Sequence, residues 1–401
     1  MQYDIIIIGG GIVGLTLACA LAQQCSLSIA IVEAQAEINE WQLSHYHHRV
    51  SAISLASKRI FSALNVWDDI KKKRVSPFSK MHVWDGFTQA EINFDSSEIA
   101  EICLGFIIEN NVIQSALMEK IKRYPNIHFI SAAHLIHYQQ LEHDIELTLE
   151  NKRILKAKLA IAADGSRSWL REMANIQLSK ENYGQKAMVA TVQTELPHYK
   201  TAHQVFLDTG PLAFLPLADE NISSIVWSLD NDAAKEIESL TDEEFKSILT
   251  KKFGSCLGEI IFTTKRYSFP LIKQQTNYYV RDRIALVGDA AHTVHPLAGQ
   301  GVNIGLLDAA CLAEVLLTAI KANRNFANLA TLRRYERWRR ADSLPMITGI
   351  DAIKKIFASE KKSLRDLRAF GLNFSNRVQW IKNIFIQHAV GNRDGLPILA
   401  K

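Results

Sequence analysis

Residues 3–33 read YDIIIIGGGIVGLTLACALAQQCSLSIAIVE. An apolar strand over Tyr3–Ile8 leads into a glycine turn at Gly9–Gly14, and a helix follows to about Gln24. A second apolar strand covers Ser28–Glu33. This order predicts a βαβ unit, whose parallel strands are buried on both faces of a sheet.

The glycine turn has the spacing GxGxxG. Gly9 permits a tight turn, Gly11 lets the backbone approach a pyrophosphate, and Gly14 lets the helix pack closely on the strand. The helix N-terminus adds free N–H groups and a positive dipole end. Glu33 ends the second strand, where an acid accepts hydrogen bonds from an adenosine ribose and disfavours a 2′-phosphate. We therefore predict a site for FAD or NAD rather than NADP; the alternative is a glycine-rich packing turn.

The apolar run Ile5–Ala22 is long enough to suggest a membrane span or a signal peptide. However, the glycine turn interrupts it, and Asp4 precedes it where a signal peptide has basic residues. We interpret the run as buried strand, turn and helix. Since we find no other candidate span in the sequence, we expect a soluble or peripheral protein.

The chain has 401 residues, of which 48% are hydrophobic and 22% charged. These values exclude disordered, collagenous and disulfide-stapled classes and leave room for two or three domains. Short alternating runs between residues 186 and 271 predict an antiparallel sheet inserted into an α/β nucleotide-binding domain. We predict that this Rossmann-like domain covers residues 1–75, 100–180 and 281–330, the substrate domain residues 76–99 and 181–280, and a C-terminal helical region residues 331–401.

Two further motifs follow buried strands. An Asp-Gly turn at Asp164 opens the polar segment 164–171, which by itself is a common turn. Gly288-Asp289 follows a strand at 283–287, and Asp289 can accept hydrogen bonds from a sugar alcohol. The string HPLAGQGVNIGLLD at 295–308 comes next, and its glycine turn and helix N-terminus suit the flavin edge that becomes anionic on reduction.

These motifs together resemble the flavin-dependent aromatic hydroxylases of the para-hydroxybenzoate hydroxylase fold. Within them, the string at 295–308 is similar to the signature of the ubiquinone-biosynthesis (polyprenylphenol) hydroxylase family. The resemblance spans nearly the whole chain and implies that FAD is the cofactor. The nucleotide-binding domain is then the FAD-binding domain, with the antiparallel sheet as its inserted substrate domain.

The resemblance also implies site residues. It implies the FAD pyrophosphate at Gly9–Gly14, the adenosine ribose at Glu33 and the ribityl chain at Asp289. Arg49, which we expect to open a helical region over Val50–Leu64, resembles a flavin-contacting arginine of the family, and either Asn110 or Asn111 resembles another contact. Asp164 is implied to lie near both FAD and the nicotinamide donor. The candidate cofactor-binding set is Gly9, Gly11, Gly14, Glu33, Arg49, Asn111, Asp164, Gly288, Asp289, Pro296, Gly299, Gln300, Gly301 and Asn303.

The implied activity is that of an FAD-dependent monooxygenase acting on a prenylated phenol and O2 through a flavin C4a-hydroperoxide. No protein side chain is assigned as catalytic, because the flavin carries the chemistry. With a single GxGxxG motif, NAD(P)H is expected to bind transiently as the reductant. Two alternatives stay open: a flavin reductase or oxidase on another prenyl lipid, and an FAD-stabilised assembly subunit of a lipid-biosynthesis complex. The absence of a WxW pair disfavours a halogenase.

Some residues invite other interpretations. The histidines at positions 45, 47 and 48, and those at 292 and 295, lack the partners of a metal site, so we expect no metal. Four residues of the inserted sheet are expected in its core more than in a pocket: Trp84, Phe214, Pro216 and Trp227.

Residues 321–401 carry 17 basic and 6 acidic side chains, so their net charge is +11. A stripe of Phe374, Val378, Ile381 and Phe385 predicts an amphipathic helix beside these charges. The helix either lies on an anionic membrane or packs on the flavin domain or in a dimer interface. We therefore expect a cytoplasmic protein, with peripheral attachment to the inner membrane or a ubiquinone-biosynthesis complex as hypotheses and no nucleic-acid partner. The ring carbon and the oligomeric state stay open.

Overall fold

The computed structural model of the chain describes residues 1–36, 41–43, 45–88, 90–293, 301–357, 387 and 390–401, with residues 345–357 described as helix backbone. Its strands are β1 (Gln2–Ile8), β2 (Ile29–Val32), β3 (Val50–Ile53), β4 (Ser76–Phe78), β5 (Lys80–Asp85), β6 (Glu91–Asp95), β7 (Gly105–Glu109), β8 (Ile127–Ile130), β9 (Leu135–Gln140), β10 (Ile145–Leu149), β11 (Ile154–Ala162), β12 (Leu178–Thr194), β13 (Thr201–Leu207), β14 (Gly210–Pro216), β15 (Ile222–Asp230), β16 (Ile260–Thr263), β17 (Tyr267–Thr276), β18 (Val280–Arg281), β19 (Ile284–Leu286) and β20 (His292–Thr293). Its helices are α1 (Ile12–Ala22), α2 (Leu55–Ala63), α3 (Trp67–Lys73), α4 (Asn110–Ile121), α5 (Trp169–Met173), α6 (Asn231–Ser239), α7 (Asp242–Phe253), α8 (Gly301–Lys321) and α9 (Leu329–Phe357).

The first sheet confirms the predicted βαβ unit. Its strand order is β18-β19-β11-β1-β2-β8, and the pairs β1–β2, β1–β11, β2–β8 and β11–β19 are parallel. The centre of β1 is fully buried, as expected for a strand covered on both faces. Helix α1 packs against α4 and α8, and together these elements form the larger core of the molecule.

The second sheet confirms the predicted antiparallel insertion. Its order is β20-β17-β12-β15-β14-β13-β5-β6, with β16 beside β12. Helices α6 and α7 cover one face and form a separate apolar core with it. The α/β class and the helical C-terminal part are therefore confirmed, while the exact domain boundaries stay a prediction.

A third, small sheet was not foreseen. It has the order β3-β7-β4, and it corrects the prediction that residues 50–64 form one helical region. Val50–Ile53 pairs antiparallel with Phe106–Glu109, and only then does α2 begin. The change comes at Ser54, whose hydroxyl accepts a hydrogen bond from the Ser57 N–H and caps the helix.

One helix among the described residues, α8, is long and apolar enough to cross a membrane, which corrects the view that Ile5–Ala22 was the sole candidate. In the structure α8 lies mostly inside the protein, against α1 and α9. The predicted stripe Phe374, Val378, Ile381 and Phe385 lies outside the described residues.

The last residues of the chain, 390–401, are bound to the first domain's helices. The Arg59 guanidinium donates to the carbonyls of Gly391 (2.7 Å) and Ala400 (2.9 Å). The Trp338 indole donates to the Gly395 carbonyl at 2.8 Å. This C-terminal segment is therefore part of the folded core, which bears on any truncation experiment.

Candidate functional site

The three sequence motifs meet at one edge of the first sheet. The Gly9 N–H donates to the Val32 carbonyl (2.8 Å), the Ala163 N–H to Ile8 (2.7 Å), and the Val287 N–H to Ala162 (2.9 Å). The carboxyl ends of four adjacent strands, β2, β1, β11 and β19, are thus joined. Ligands of open α/β sheets bind at this edge.

The glycine turn is tight at two positions and open at the third. Gly9 has φ of +107°, and a Cβ there would lie 2.3 Å from the Ala163 carbonyl oxygen. A Cβ on Gly14 would lie 2.1 Å from the Gly9 carbonyl oxygen. A Cβ on Gly11 would meet no atom of the described residues within 4 Å beyond its chain neighbours. The fold of the turn itself therefore requires glycine at Gly9 and Gly14. The space beside Gly11 is open, and we call this space the cradle.

Two side chains support this turn. Glu33 accepts hydrogen bonds from the Gly10 N–H at 2.7 Å and from the Gln35 N–H at 2.9 Å. Gln114 on α4 donates to the Gly10 carbonyl at 2.9 Å. Glu33 was selected from the sequence as the acid that ends the second strand, whereas Gln114 was not, because no motif marks it.

The Gly288-Asp289 turn packs directly on α1 and α8. Gly288 has φ of +60°, and a Cβ on Gly305 would lie 3.2 Å from the Gly288 Cα, so α8 approaches the turn as closely as backbone allows. The Asp289 side chain is exposed to solvent, although many protein atoms surround its carboxylate. This desolvation raises the pKa of Asp289, although the neighbouring His292 and Arg49 act in the opposite direction.

Among the described residues, several buried side-chain oxygens lack hydrogen-bond partners, and two of them belong to candidate site residues. One is Oδ1 of Asp164, whose other oxygen accepts from the Trp169 N–H at 2.8 Å. Burial raises the pKa of Asp164. The other is Oδ1 of Asn111. The amide oxygen of Asn110, by contrast, accepts a hydrogen bond from Ser51 at 2.7 Å, so of the two candidates Asn111 is the one with a buried, unpartnered amide oxygen.

Asn303 connects the start of α8 to neighbouring elements through its side-chain amide. Its amide oxygen accepts from the Ser54 N–H (3.0 Å) and the Ser57 hydroxyl (2.7 Å), and its amide nitrogen donates to the Ala52 carbonyl (2.8 Å). Asn303 thereby ties the start of α8, at Gly301, to β3 and α2, and a direct contact with FAD stays a prediction. Pro296, Gly299 and Gln300 lie outside the described residues.

Arg171 joins two of the motifs and was not selected from the sequence. Its buried guanidinium donates to the Ser166 carbonyl at 2.9 Å and to the Ala290 carbonyl at 3.1 Å. It therefore links the Asp164 segment to the Gly288-Asp289 turn. One indication was present in the sequence, since Arg171 ends the polar segment 164–171. Its partner Ala290, however, lies 119 residues away and is shown by the fold alone.

The second sheet presents different faces to its helices and to the cleft. The face toward α6 and α7 carries Met188, Ala190, Val192, Leu212, Phe214, Ile225, Trp227 and Leu229. Phe214 and Trp227 are only 1% exposed, which confirms that they are core residues. Trp84 packs against the same cluster, and Pro216 is buried.

The opposite face is incompletely covered, and its central row is apolar. Val189, Val226 and Ala213 pair across three adjacent strands, and each is half-buried. Tyr267 lies opposite Val189 on β17, so its ring is on the same face. The His48 ring stacks on Tyr267 with 4.1 Å between ring centroids. The loop that leads to Arg49 therefore lies over this face.

That loop, residues 45–49, is fastened at both ends. Arg74 donates to the His45 carbonyl (3.0 Å), forms an ion pair with buried Glu109 (2.9 Å), and lies 4.1 Å from the ring centroid of Tyr46. The Tyr46 hydroxyl donates to Asp219, in the turn between β14 and β15, at 3.0 Å, and the His47 N–H donates to Glu109 of β7 at 2.6 Å. The loop thus bridges the second sheet and the small third sheet, and the Asn110 N–H holds the Arg49 carbonyl at 3.0 Å.

These features fit FAD. The open cradle at Gly11 and the helix N-terminus behind it suit a pyrophosphate. Hydrogen-bond acceptors for the hydroxyl and N–H groups of FAD are present in the unpartnered oxygens of Asn111 and Asp164 and in the carboxylate of Asp289. Within the described ranges there is no group of three or more metal-ligating side chains.

Comparisons with known proteins agree with this geometry. The family model of an FAD binding domain matches residues 2–345. Ubiquinone hydroxylase UbiL of Rhodospirillum rubrum is 34% identical, covering 97% of this chain and 89% of that protein. The 3-demethoxyubiquinol 3-hydroxylase of Escherichia coli is 34% identical, with coverage of 97% and 98%. The structure of p-nitrophenol 4-monooxygenase PnpA from Pseudomonas putida DLL-E4 matches with a TM-score of 0.78 at 18% identity, covering 98% of this chain and 99% of that one, which shows the fold alone.

Proposed function

The chain belongs to the FAD-binding family of flavoprotein hydroxylases, and on that premise we propose that it hydroxylates the aromatic ring of a polyprenylphenol in ubiquinone biosynthesis. The family resemblance seen in the sequence is confirmed, and the protein is an FAD-dependent monooxygenase. We propose the identity of the substrate, the residues that bind it and the residues that bind the cofactor.

The proposed cofactor site uses the residues that meet at the sheet edge. The N–H groups behind Gly11 bind the pyrophosphate, and Glu33 binds the adenosine ribose while it holds Gly10. Asp289 accepts from the ribityl chain. Arg49 and Asn111 face the flavin from the loop and from the start of α4.

When bound and reduced, FAD activates O2 for transfer of one oxygen atom to an electron-rich ring. The protein has to exclude water from this step and orient the phenol. The 45–49 loop, held by the second sheet and the small third sheet, lies over the exposed face of the second sheet at Tyr267. Burial lowers the pKa of His48, which stacks on Tyr267, so the imidazole is neutral there at pH 7.

One observation carries the substrate proposal: the cleft-side face of the second sheet is apolar at its centre and incompletely buried. Val189, Val226 and Ala213 would otherwise gain from full burial, worth about 25 cal/mol for each Å2 removed from water. A prenylated aromatic ring supplies the matching apolar surface. The similarity to two ubiquinone-pathway hydroxylases supports the same substrate class.

We propose NAD(P)H as the reductant. The described residues contain one glycine-rich dinucleotide turn, at Gly9–Gly14, which FAD occupies in our account. A nicotinamide donor therefore binds transiently. We assign the unpartnered oxygen of Asp164 as a hydrogen-bond acceptor for this donor.

The quinone precursor that accumulates after deletion of this gene tests the substrate proposal. We expect a polyprenylphenol that lacks one ring hydroxyl, restored to ubiquinone by the wild-type gene. Normal ubiquinone levels in the deletion strain would contradict the proposal. Rescue by a variant that cannot reduce its flavin would instead support an assembly subunit.

We further propose that the protein works in the cytoplasm at the surface of the inner membrane, where a polyprenyl substrate is dissolved. Arg333, Arg334 and Arg337 on α9 are exposed, and their guanidinium groups form no ion pair with the described part of the chain. Arg339 and Arg340 point to internal partners. The outward face of α9 is thus a candidate contact for anionic lipids.

We expect the protein to float with anionic but not neutral liposomes, and to be released by salt, because the attraction is screened. Removal of residues 372–401 is an unsuitable test, since it deletes the bound C-terminal segment. The triple variant Arg333→Gln, Arg334→Gln, Arg337→Gln should lose flotation. A matched variant with Lys71→Gln, Lys72→Gln and Lys122→Gln should keep it. Equal flotation of both variants would exclude the α9 face.

A further inference from the structure

A carboxylate lies at the centre of α8, where the surrounding side chains are apolar. Asp308 is completely buried between Leu307 and Ala309, which belong to the main core. A buried charge is costly unless it is paired and hydrogen-bonded. The partners of Asp308 therefore indicate which part of the molecule it serves.

Asp308 contacts both ends of the turn that carries Asp289. Its Oδ2 accepts from the Gly288 N–H at 2.9 Å and lies 2.7 Å from Nε2 of His292. Gly288 precedes Asp289 directly, and His292 follows it by three positions. A single oxygen atom of Asp308 thus holds the backbone of Gly288, before Asp289, and the side chain of His292, after it.

The other oxygen of Asp308 is held from the C-terminal part of the chain. Oδ1 accepts from Nε of Arg339 on α9 at 2.6 Å. Arg339 also forms an ion pair with Asp342 at 2.5 Å, and Asp342 forms one with Arg393 in the C-terminal segment at 2.6 Å. Burial alone would raise the pKa of Asp308, but His292 and Arg339 outweigh it and lower the pKa. The carboxylate is therefore ionised.

We infer that Asp308 is a positioning residue: it holds the turn from Gly288 to His292 so that the Asp289 carboxylate is preset for the cofactor. The chain Arg339, Asp342 and Arg393 fixes Asp308 in turn, which explains why the C-terminal segment is bound to the flavin domain. This inference rests on the proposed FAD site at Asp289, although it does not depend on which phenol is hydroxylated.

A purely structural ion pair would give a different result. Loss of such a pair lowers the stability of the fold and leaves the contribution of Asp289 to FAD binding unchanged. If Asp308 positions Asp289, loss of its contacts removes the benefit of Asp289 as well. The two substitutions are then not additive in FAD affinity.

A double-mutant cycle on the FAD dissociation constant tests this, with FAD titrated into apoprotein and followed by flavin fluorescence. We expect Asp289→Asn to weaken binding about 10-fold or more in the wild-type background. In the His292→Phe background, which loses the contact with Asp308, the same change should weaken binding by no more than about twofold. Asp308→Asn should behave like His292→Phe, provided that it folds.

Two controls separate positioning from stability. His292→Gln keeps a donor near the position of Nε2 and should restore most of the Asp289 effect. Ser343→Ala removes a buried hydroxyl from α9 beside Arg339 without touching the turn, so the effect of Asp289→Asn should stay full in it. Full effects of Asp289→Asn in the His292→Phe background would overturn the inference. No effect of Asp289→Asn in the wild type would instead refute the FAD site.

Discussion

Gly11→Ala is expected to weaken FAD binding while the apoprotein keeps its fold. A Cβ at this position meets no atom of the described residues within 4 Å beyond its chain neighbours, so the substitution places its methyl group in the cradle that we assign to the pyrophosphate. Steric overpacking of this kind costs about 1–3 kcal/mol, which is a loss of FAD affinity of about 5- to 150-fold. Flavin absorbance of the purified protein and titration of the apoprotein measure it.

Gly14→Ala is the matched control, because it adds the same methyl group at a closed position. That Cβ would lie 2.1 Å from the Gly9 carbonyl oxygen, where backbone rather than a flexible side chain must move. We expect a lower thermal midpoint of the apoprotein for Gly14→Ala and an unchanged one for Gly11→Ala. If Gly11→Ala retains FAD as tightly as the wild type, the cradle is assigned to the wrong ligand or the wrong place.

Asp289→Ala is expected to weaken FAD binding by about 10- to 150-fold, since a hydrogen bond to a charged group contributes about 1.5–3 kcal/mol. Asp232→Ala, at an exposed position of α6, should leave the FAD dissociation constant unchanged. A wild-type constant for Asp289→Ala would contradict the ribityl assignment.

Local sequence was sufficient for the features that depend on near neighbours. The strand, glycine turn and helix of residues 2–22 follow from apolar periodicity and from the spacing of Gly9, Gly11 and Gly14. The helix Asp242–Phe253 also depends on near neighbours, because Thr241 and Glu244 form a capping box and Gly254 ends it in the left-handed conformation.

Features that depend on distant partners could not be predicted in this way. Strand β3 is only four residues long and exists because Phe106–Glu109 pairs with it. Alternation along β12 and β15 shows that each strand has two faces, but it does not tell which face α6 and α7 cover. Trp227 was expected in the core, but only the position of the helices shows that it faces them while Val226 lies on the opposite face.

The polar residues that hold the site residues in position could not be predicted either, because their partners are also distant in the sequence. Asp308 was visible in the sequence as an acid within an apolar helix, yet its partners Gly288 and Arg339 lie 20 and 31 residues away. Arg171 contacts a carbonyl 119 residues away. Side chains of this kind serve the site through contacts that no local spacing encodes.

The central claim is that this protein transfers one atom of O2 to the ring of a polyprenylphenol. The most direct measurement supplies the FAD-loaded enzyme with NADH or NADPH, a polyprenylphenol and oxygen-18-labelled O2, and analyses the product by mass spectrometry. Our account predicts a hydroxylated ring with one labelled oxygen atom, formed in proportion to the reductant consumed. Consumption of the reductant with hydrogen peroxide as the sole oxygen product, or a reduced prenyl chain without labelled oxygen, would contradict it.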